Sequence, residues 1–579
     1  MAYRDELSAI VVGGSGLTVE EVVAVARQHR PVEVTDDVQV IRRLEQAFEI
    51  VQAAAVVGTP LYGVTTPFGG MATHEVTGSD AHMLQRNALF VHKCGAGAPL
   101  PADCVRAAML ARMNSHLKGV SGVRLCLVER LAAMLNGRLT PLVPEHGSIG
   151  ASGDLVPLNY IAGAAFALDD AFRVATKDGV LGACEAMKLI GLEPLSPRPK
   201  EALAMINGTS FSAGMAALCV HDVETLLLVT LGIHALAWQA LCSSPQSLHP
   251  FIHEQKGHPG QSWVASRMCA LLEGSALLRA ELEGTHQHRS AGPIQDRYAQ
   301  RCAPQYLGPI VDGILAFRRD VETELNGASD NPLVDAETGA FHHGGNFLGQ
   351  YLAMGLDALR QRVSLMAKHL DVQTAQLMAP EFSDGLPASL VGNAGRPFNM
   401  GLKGLQLTSN SLSPLIEFYG APLADRFPTH AEQYNQNLNS QSFNAAVLAH
   451  RQIVISRQLI AVSLVIAVQA VDLRARIAAG TCDASNLLSP GTRALYATVR
   501  HLLGRPLETA RPLVDHDDEQ WLDRHVEALA HDLASGGRIA ETIEAIIGSV
   551  GDAGSATSVA PNAQQVAEKA ATVAIFGTE

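Results

Sequence analysis

Apolar side chains follow two different patterns along the chain. Up to about Pro199, short apolar runs alternate with Gly/Pro turns, and helical stretches such as residues 105–117 are interspersed. From about Glu201 onward, apolar residues recur at steps of three and four over long segments with few breakers, as in residues 314–325 and 446–478. This is the spacing of packed helices. The clearest seam consists of Leu352, Leu356, Leu359, Val363, Met366 and Leu370.

These patterns predict a mainly α-helical protein, in which a long central helical bundle follows a loop-rich N-terminal domain. We divide the sequence into an N-terminal globular domain (1–200), the central bundle (201–510), a C-terminal helical segment (511–550) and a flexible tail (551–579). Within the C-terminal segment, residues 539–547 are expected to form a helix. The tail begins in a run of Gly, Ser and Ala, which is typical of flexible links.

Charge and composition narrow the possible functions. The chain of 579 residues carries 43 Lys and Arg against 57 Asp and Glu, so its formal net charge is −14. It also lacks a long basic run, and nucleic-acid binding is therefore not expected. Charged residues make up only 17% of the chain, below the roughly 25% usual in soluble domains. Such a composition favours helices that are buried against copies of themselves.

Location is predicted from the N-terminus, the apolar runs and the cysteines. The first residues include acids where a signal peptide would begin its apolar stretch. The most apolar segment, residues 459–468, has ten residues, and a bilayer-spanning helix needs about 20. The nine cysteines form no CxxC pair, which indicates reduced thiols. We expect a cytoplasmic protein that does not enter the membrane.

The segment that carries chemistry contains Ala151, Ser152 and Gly153. If the Gly153 amide nitrogen attacks the Ala151 carbonyl carbon, a five-membered ring closes, and loss of two waters leaves an exocyclic methylidene on the former Ser152. The product, 4-methylidene-imidazole-5-one, is an electrophile made without an added cofactor. Glycine leaves the nitrogen unhindered and tolerates unusual dihedral angles. The tripeptide alone is common, and in isolation it indicates only a turn.

The sequence around the tripeptide gives it more weight. Gly-Ser-Ile-Gly precedes it and Asp-Leu-Val-Pro-Leu follows it, and this segment resembles the prosthetic-group loop of the aromatic amino acid ammonia-lyase family, in the form found in bacterial phenylalanine ammonia-lyases. Further segments resemble the family's tyrosine loop, asparagine loop, carboxylate-binding segment and pocket segments. The tyrosine loop corresponds to residues 61–71 and the asparagine loop to 207–210. The carboxylate-binding segment corresponds to 295–305 and to 329–332 with 343–350, and the pocket segments to 403–406 and 431–440. The resemblance extends to about Ile547.

The resemblance implies an elimination of ammonia that gives an arylacrylate. The methylidene group formed from residues 151–153 would capture the substrate amine, Tyr62 would remove the β-proton, and Arg301 would bind the carboxylate by a bidentate pair. A phenol titrates near 10, so Tyr62 would need a lowered pKa. Asn207, Tyr298 and Gln350 would orient the ring or the substrate. The other pocket residues implied are Val91, His92, Leu155, Gln295, Asn346, Phe347, Lys403, Glu432, Asn435 and Gln436.

Each of these residues also has a plain structural alternative. Without the resemblance, Tyr62 would be read as a packed loop tyrosine and Arg301 as half of a surface ion pair. His249 and His253 have metal-like spacing, but Pro250 and the absence of an HExxH pattern argue against zinc. No metal and no external cofactor are expected. The family further implies a homotetramer whose active sites are shared between chains.

The ring-binding side departs from the family. Phenylalanine-specific members carry Phe-Leu where this chain has Val91-His92, tyrosine-specific members usually begin the pair with His, and histidine ammonia-lyases have Ser-His. Val91 opens volume, and His92 adds a hydrogen-bonding group that could meet a polar ring or pair with Glu432. Lys403 and the Glu432 segment follow the phenylalanine/tyrosine form. We therefore predict a polar or enlarged aromatic ring, tyrosine first.

Three alternatives within enzymes and one outside them remain open at this point. The enzyme could act on phenylalanine or on histidine, or it could be a 2,3-aminomutase that re-adds ammonia at the β-carbon. A catalytically silent helical scaffold is the alternative outside enzymes, and the intact Ala151-Ser152-Gly153, Tyr62 and Arg301 argue against it. Pro67 stands where the family usually has Gly. Because proline fixes φ and removes a donor, the tyrosine loop is expected to be stiffer or shifted.

Overall fold

The structure is a computed structural model that describes residues 8–76, 79–279, 295–426, 428, 430–519 and 521–554. Most of the predicted flexible tail, residues 555–579, lies outside the described residues. The four tail residues within them, Gly551–Gly554, form a short 3-10 helix.

The prediction of a mainly α-helical protein is confirmed. In the described part of the chain, the helices are α1 (Val19–Ala26), α2 (Val38–Val57), α3 (Ser79–Val91), α4 (Ala102–His116), α5 (Leu125–Asn136), α6 (Leu155–Ala165), α7 (Ala183–Lys188), α8 (Glu201–Ile206), α9 (Ser210–Ala240), α10 (Pro250–Lys256), α11 (Pro259–Leu272), α12 (Tyr298–Arg301), α13 (Ala303–Leu325), α14 (Gln350–Met378), α15 (Lys403–Tyr419), α16 (Ser442–Ala479), α17 (Pro490–Leu502), α18 (Leu522–Ala534) and α19 (Arg538–Ile547).

The strands are short. Those described are β1 (Ile10–Val12), β2 (Val32–Val34), β3 (Ala96–Pro99), β4 (Thr140–Pro141), β5 (Pro144–His146), β6 (Arg173–Thr176), β7 (Gly179–Gly182), β8 (Leu333–Val334) and β9 (Phe341–His342). β1 and β2 pair in parallel, β3 pairs with β5, β8 pairs with β9, and β4, β6 and β7 form a three-stranded antiparallel sheet in the order β4-β6-β7.

The predicted helical seam is the buried face of α14. Its six members are each at most 3% exposed, because steps of three and four keep them on one side of the helix. The helix predicted over residues 314–325 begins earlier, at Ala303 in α13, and includes Pro309. The two C-terminal predictions for helices also hold, since residues 446–478 lie within α16 and residues 539–547 within α19.

Two helices are longer and more apolar than the ten-residue run in the sequence suggested. α9 and α16 each contain an 18-residue window that is long and apolar enough to cross a membrane. These windows are 89% and 83% buried inside the protein, as expected of core helices. The sequence estimate was too short because it stopped at single polar residues such as Gln469, which is fully buried and hydrogen-bonded to the Leu390 and Val514 carbonyls.

The chain forms two compact units, each assembled from three separate stretches. The first unit comprises residues 1–221, 317–358 and 422–450, and the second comprises 222–316, 359–421 and 451–579. All described strands belong to the first unit, as do residues 151–153. In the second unit, the Gln452 amide on α16 donates to the Arg360 carbonyl on α14 at 2.9 Å. The division by chain order into four segments stays a prediction.

Candidate active site

The Ala151-Ser152-Gly153 loop lies in the first unit, immediately before α6. Gly153 has φ +69°, and a Cβ at this position would overlap the Gly208 carbonyl, so only glycine fits. The Gly153 and Gly208 backbones form an isolated parallel bridge, in which the Asp154 amide donates to the Gly208 carbonyl at 2.7 Å. Among the described residues, the Gly153 amide donates to no acceptor. Its nitrogen is therefore available as the nucleophile of a ring closure.

Both oxygens of Ser152 accept hydrogen bonds. The Ser152 carbonyl accepts from Asn207 Nδ2 and from the Gly208 amide, each at 3.2 Å. Its hydroxyl Oγ accepts from Gln436 Nε2 at 2.6 Å. The structure thus brings together three of the residues singled out in the sequence, Ser152, Asn207 and Gln436, although they are far apart along the chain.

The asparagine loop, residues 207–210, is held by hydrogen bonds that involve a buried charged side chain. Arg112 is fully buried and donates to the Ser329 carbonyl at 3.0 Å and to the Ala204 carbonyl. Ser329 Oγ accepts from the Thr209 amide at 3.2 Å. Burial lowers the pKa of the Arg112 guanidinium to about 10, yet the group stays charged at neutral pH. These bonds fix the residues that follow Asn207.

A buried ion pair lies next to this support. Lys200 Nζ and Asp330 Oδ2 are 2.6 Å apart, and both side chains are fully buried. Asp330 follows Ser329 directly in the sequence. The ion pair therefore fixes the position of Ser329, whose hydroxyl accepts the hydrogen bond from the Thr209 amide. The sequence placed residues 329–332 with the carboxylate-binding segment, but it gave no indication of Lys200 and Arg112, because their partners are 130 and 217 residues away.

The N-termini of several helices lie beside the loop. Asp154, just before α6, accepts from the amide and the hydroxyl of Ser212 in the first turn of α9, at 2.7 and 2.6 Å. The Ser212 hydroxyl lies 3.1 Å from that of Ser442 at the start of α16. Ser440 donates to the Gly150 carbonyl at 3.0 Å. Because a helix N-terminus carries a partial positive charge, this arrangement stabilises negative charge that develops on the loop.

Asp154 is itself fully buried. Removal from water raises the pKa of its carboxyl to about 6 from the ordinary 3.8, against the opposing effect of the Ser212 hydrogen bonds. It was not among the predicted site residues, although it stands next to Gly153 in the sequence.

The tyrosine loop contacts a turn that carries Glu432. The Tyr62 phenol oxygen accepts from the Gly69 amide at 2.8 Å, two residues beyond Pro67. A Cβ on Gly69 or Gly70 would overlap atoms of Glu432, so the two segments can approach only through glycine. Burial raises the pKa of the Tyr62 phenol, the Gly69 hydrogen bond opposes this shift and the Glu432 carboxylate adds to it. The net direction is opposite to the one that a base requires.

The turn at residues 431–436 is tightly closed. Its ends pair as an isolated antiparallel bridge, with the Gln436 amide donating to the Ala431 carbonyl at 3.2 Å. Glu432 and its two successors have φ between 51° and 66°, a left-handed conformation that is uncommon outside glycine. The Asn435 side chain is exposed, while the backbone amide of Asn435 donates to the Glu432 carbonyl at 3.0 Å.

Residues 295–305 of the predicted carboxylate-binding segment lie in the second unit. Arg301, at the end of α12, donates from Nε to the Asp296 carbonyl at 3.0 Å, and its guanidinium carbon is 4.5 Å from the centre of the Tyr298 ring. The Tyr298 side chain is 72% exposed. Arg301 and Gln295 line a cavity of about 460 Å³, which has room for a small ligand.

Val91 and His92 follow one another at the C-terminus of α3. Val91 is 70% exposed, and His92 is half-buried. The His92 ring nitrogen Nδ1 lies 2.7 Å from the Ala88 carbonyl of the same helix, so this nitrogen donates to the backbone. No ion pair joins His92 to Glu432 among the described residues. For the other ring nitrogen, Nε2, no hydrogen-bond partner occurs in the part of the chain that the structure describes.

The remaining predicted residues are distributed over both units. Leu155 is the first residue of α6 and is half-buried beside the loop. Asn346 is exposed and donates to the Ala328 carbonyl at 3.3 Å, and Phe347 and Gln350 follow it, both half-buried. Lys403, at the start of α15, is exposed and belongs to the second unit.

The two histidines with metal-like spacing have other partners. His249 accepts from the Phe251 amide at 3.2 Å as the cap of α10. His253 is buried, with its ring nitrogens within hydrogen-bond distance of the Ser247 carbonyl and the Gln261 amide. Within the described ranges, no three His, Cys, Asp or Glu side chains are grouped so that they could hold a metal ion.

Comparisons with known proteins identify the family of the chain. The family model described as aromatic amino acid lyase matches residues 17–501. A phenylalanine ammonia-lyase of Nostoc punctiforme is 49% identical over 543 residues, which cover 94% of this chain and 95% of that protein. An aromatic ammonia-lyase of Loktanella atrilutea is 44% identical over 538 residues, covering 93% and 98%. The solved structure of a tyrosine aminomutase from Streptomyces globisporus aligns with a TM-score of 0.82 at 30% identity, covering 93% of this chain and 98% of that one. The chain belongs to the aromatic amino acid lyase family.

Proposed function

We propose that the protein is an aromatic L-amino acid ammonia-lyase that eliminates ammonia without oxidation and releases a trans-arylacrylate. The observation that carries this proposal is the state of the Ala151-Ser152-Gly153 loop. Among the described residues, the Gly153 amide has no acceptor, both Ser152 oxygens accept hydrogen bonds, and helix N-termini lie next to the loop. A carbon-nitrogen lyase of this family needs an electrophile, and this loop is built to form one.

The residues present fit the prosthetic group 4-methylidene-imidazole-5-one. Its carbonyl would be the Ser152 carbonyl, which already accepts from Asn207 and Gly208. Asn207 Oδ1 is buried with no partner among the described residues, so it is an acceptor for a ligand N–H group. When formed, the group supplies an electrophilic carbon that turns the substrate amine into a leaving group.

The chain's own residues would handle the proton and the carboxylate. Tyr62 Oη would accept the β-proton, and the Gly69 amide, which already donates to this oxygen, would stabilise the phenolate. Arg301 bonds to the Asp296 carbonyl through Nε, and among the described residues its terminal nitrogens are available for a bidentate bond to a carboxylate. Tyr298, Gln350 and Phe347 would orient and enclose the substrate.

For the substrate we propose an aromatic ring with a polar substituent, tyrosine first. A valine side chain at position 91 leaves space at the ring end, and His92 Nε2 is free to bond a phenol oxygen because Nδ1 is held by Ala88. Phenylalanine, histidine and conversion to a β-amino acid remain competing outcomes.

We also propose a homotetramer with shared active sites. Large apolar side chains are exposed on two helices, namely Tyr351 (73%) and Met354 (63%) on α14, and Leu407 (65%) and Phe418 (75%) on α15. An assembly would cover such apolar side chains. Separated subunits should then have no activity.

The test is a substrate panel of phenylalanine, tyrosine, histidine and ring-hydroxylated analogues, followed by ultraviolet growth of the acrylate. Tyrosine turnover above phenylalanine turnover is expected, and the reverse by a wide margin contradicts the substrate proposal. Chromatography for a β-amino acid separates lyase from mutase. Ser152→Ala should abolish turnover, and activity that survives this change would refute the electrophile.

A further inference from the structure

The side-chain amide of Gln436 has a role that substrate binding does not explain. Its Nε2 donates to Ser152 Oγ at 2.6 Å, and this oxygen is one of the atoms that leave when the prosthetic group forms. In a mature loop the bond has no acceptor. The contact therefore belongs to the precursor chain, before any substrate is present.

The amide is held in place by the segment around it. The Gln436 backbone closes the turn onto Ala431. Four residues later, Ser440 bonds to Gly150 through both its amide, at 3.1 Å, and its hydroxyl, at 3.0 Å. The Gln441 amide donates to the Ile149 carbonyl at 3.2 Å. The segment that carries Gln436 is thus fixed to the residues just before Ala151.

Formation of the methylidene from Ser152 is a β-elimination. The Cα–H bond breaks and its electron pair forms the Cα=Cβ double bond, while the Cβ–Oγ bond breaks and Oγ leaves with its electron pair. The departing hydroxide and the proton combine as one water. Ring closure between Gly153 N and the Ala151 carbonyl carbon releases the other water. Negative charge therefore develops at two places, the Ser152 carbonyl oxygen and Oγ.

The structure places a donor at each of these atoms. Asn207 and the Gly208 amide donate to the carbonyl oxygen, where they stabilise the enolate formed when the Cα proton leaves. Gln436 donates to Oγ, where it stabilises the departing hydroxide. We propose that Gln436 is a maturation residue, whose amide promotes loss of the Ser152 hydroxyl during formation of the prosthetic group. This inference rests on the proposed function, because it assumes that the ring forms.

The experiment follows the mass of the purified full-length chain with time after synthesis is stopped, in the absence of any amino acid substrate. The parent chain should lose two waters. Gln436→Ala should lose the Ser152 water about 10–100-fold more slowly, the scale for removal of one preorganised donor. The matched control is Asn437→Ala, which changes an exposed neighbour and should mature like the parent.

A second pair of variants separates this role from a general distortion of the loop. In Ser152→Cys the leaving group is a thiolate, which departs readily without a donor, so one water and one hydrogen sulfide are lost. Adding Gln436→Ala to Ser152→Cys should then have little effect on the rate. Equal slowing in the serine and cysteine backgrounds, or no slowing in the serine background, overturns the inference and leaves the proposed function intact. A parent chain that never loses two waters contradicts the proposed function itself.

Discussion

Removal of the Lys200 ammonium should loosen the asparagine loop while leaving the surface of the protein unchanged. In Lys200→Met the Asp330 carboxylate keeps the Asn331 amide at 2.7 Å but loses its partner at 2.6 Å, in a site with no solvent exposure. Breaking a buried pair from one side costs about 3–5 kcal/mol. Because Arg112 also attracts Asp330, we expect the lower end, about 3 kcal/mol, which is roughly a hundredfold in a local opening equilibrium.

Hydrogen exchange at the Thr209 amide measures this opening, since that amide donates to Ser329 beside Asp330. Exchange in a peptide covering residues 207–210 should accelerate about a hundredfold in Lys200→Met. Lys177→Met is the matched control, because Lys177 pairs with Asp178 at 4.0 Å with both side chains largely exposed, and such pairs contribute little. The double variant Lys200→Met/Asp330→Asn removes the unpaired charge and should recover most of the protection. Parent-like exchange in Lys200→Met, or a double variant no better than the single, refutes the reasoning.

Three further outcomes are expected. Arg301→Lys should raise KM for the aromatic amino acid about 10–100-fold in steady-state assays, because lysine cannot form the bidentate bond; an unchanged KM contradicts a carboxylate role. His92→Leu should shift the ratio of kcat/KM for tyrosine over phenylalanine about tenfold toward phenylalanine, and a constant ratio would remove His92 from ring recognition. Asp154 has a folded pKa of about 6, above its ordinary 3.8, so the folded state binds this proton more tightly and stability falls as pH rises from about 4 to 6. Asp154→Asn should flatten that part of a plot of melting temperature against pH, and a slope equal to that of the parent would count against the shift.

Local patterns in the sequence were enough to predict the helices and to point to the loop. The seam on α14 lies on the buried face because a step of 3.6 residues relates sequence to face directly. Gly153 could be identified from the sequence because the three residues that ring closure requires, Ala151, Ser152 and Gly153, are consecutive. The support of the loop was not visible in this way, because Arg112, Lys200 and Asp330 meet only after the chain has folded. A periodicity reports which face of its own helix a residue occupies, and says nothing about a partner 130 residues away.

Within a single chain, the geometry suits one part of the proposed chemistry, ring closure at residues 151–153, better than the other part, removal of the β-proton by Tyr62. The Ala151-Ser152-Gly153 loop accepts hydrogen bonds from donors of its own unit, as the proposed ring closure requires. Tyr62 is not yet suited to act as the base. Burial and the Glu432 carboxylate raise the pKa of its phenol, whereas a phenol that removes a proton must first be ionised. Tyr298 and Val91, 72% and 70% exposed, are equally unlike the lining of a pocket that encloses a ligand. If the active sites are shared between chains, assembly would cover these side chains, and a cationic side chain of another chain next to the phenol would favour its ionised form. We therefore expect the Tyr62 pKa to be lower in the assembled enzyme than in separated subunits.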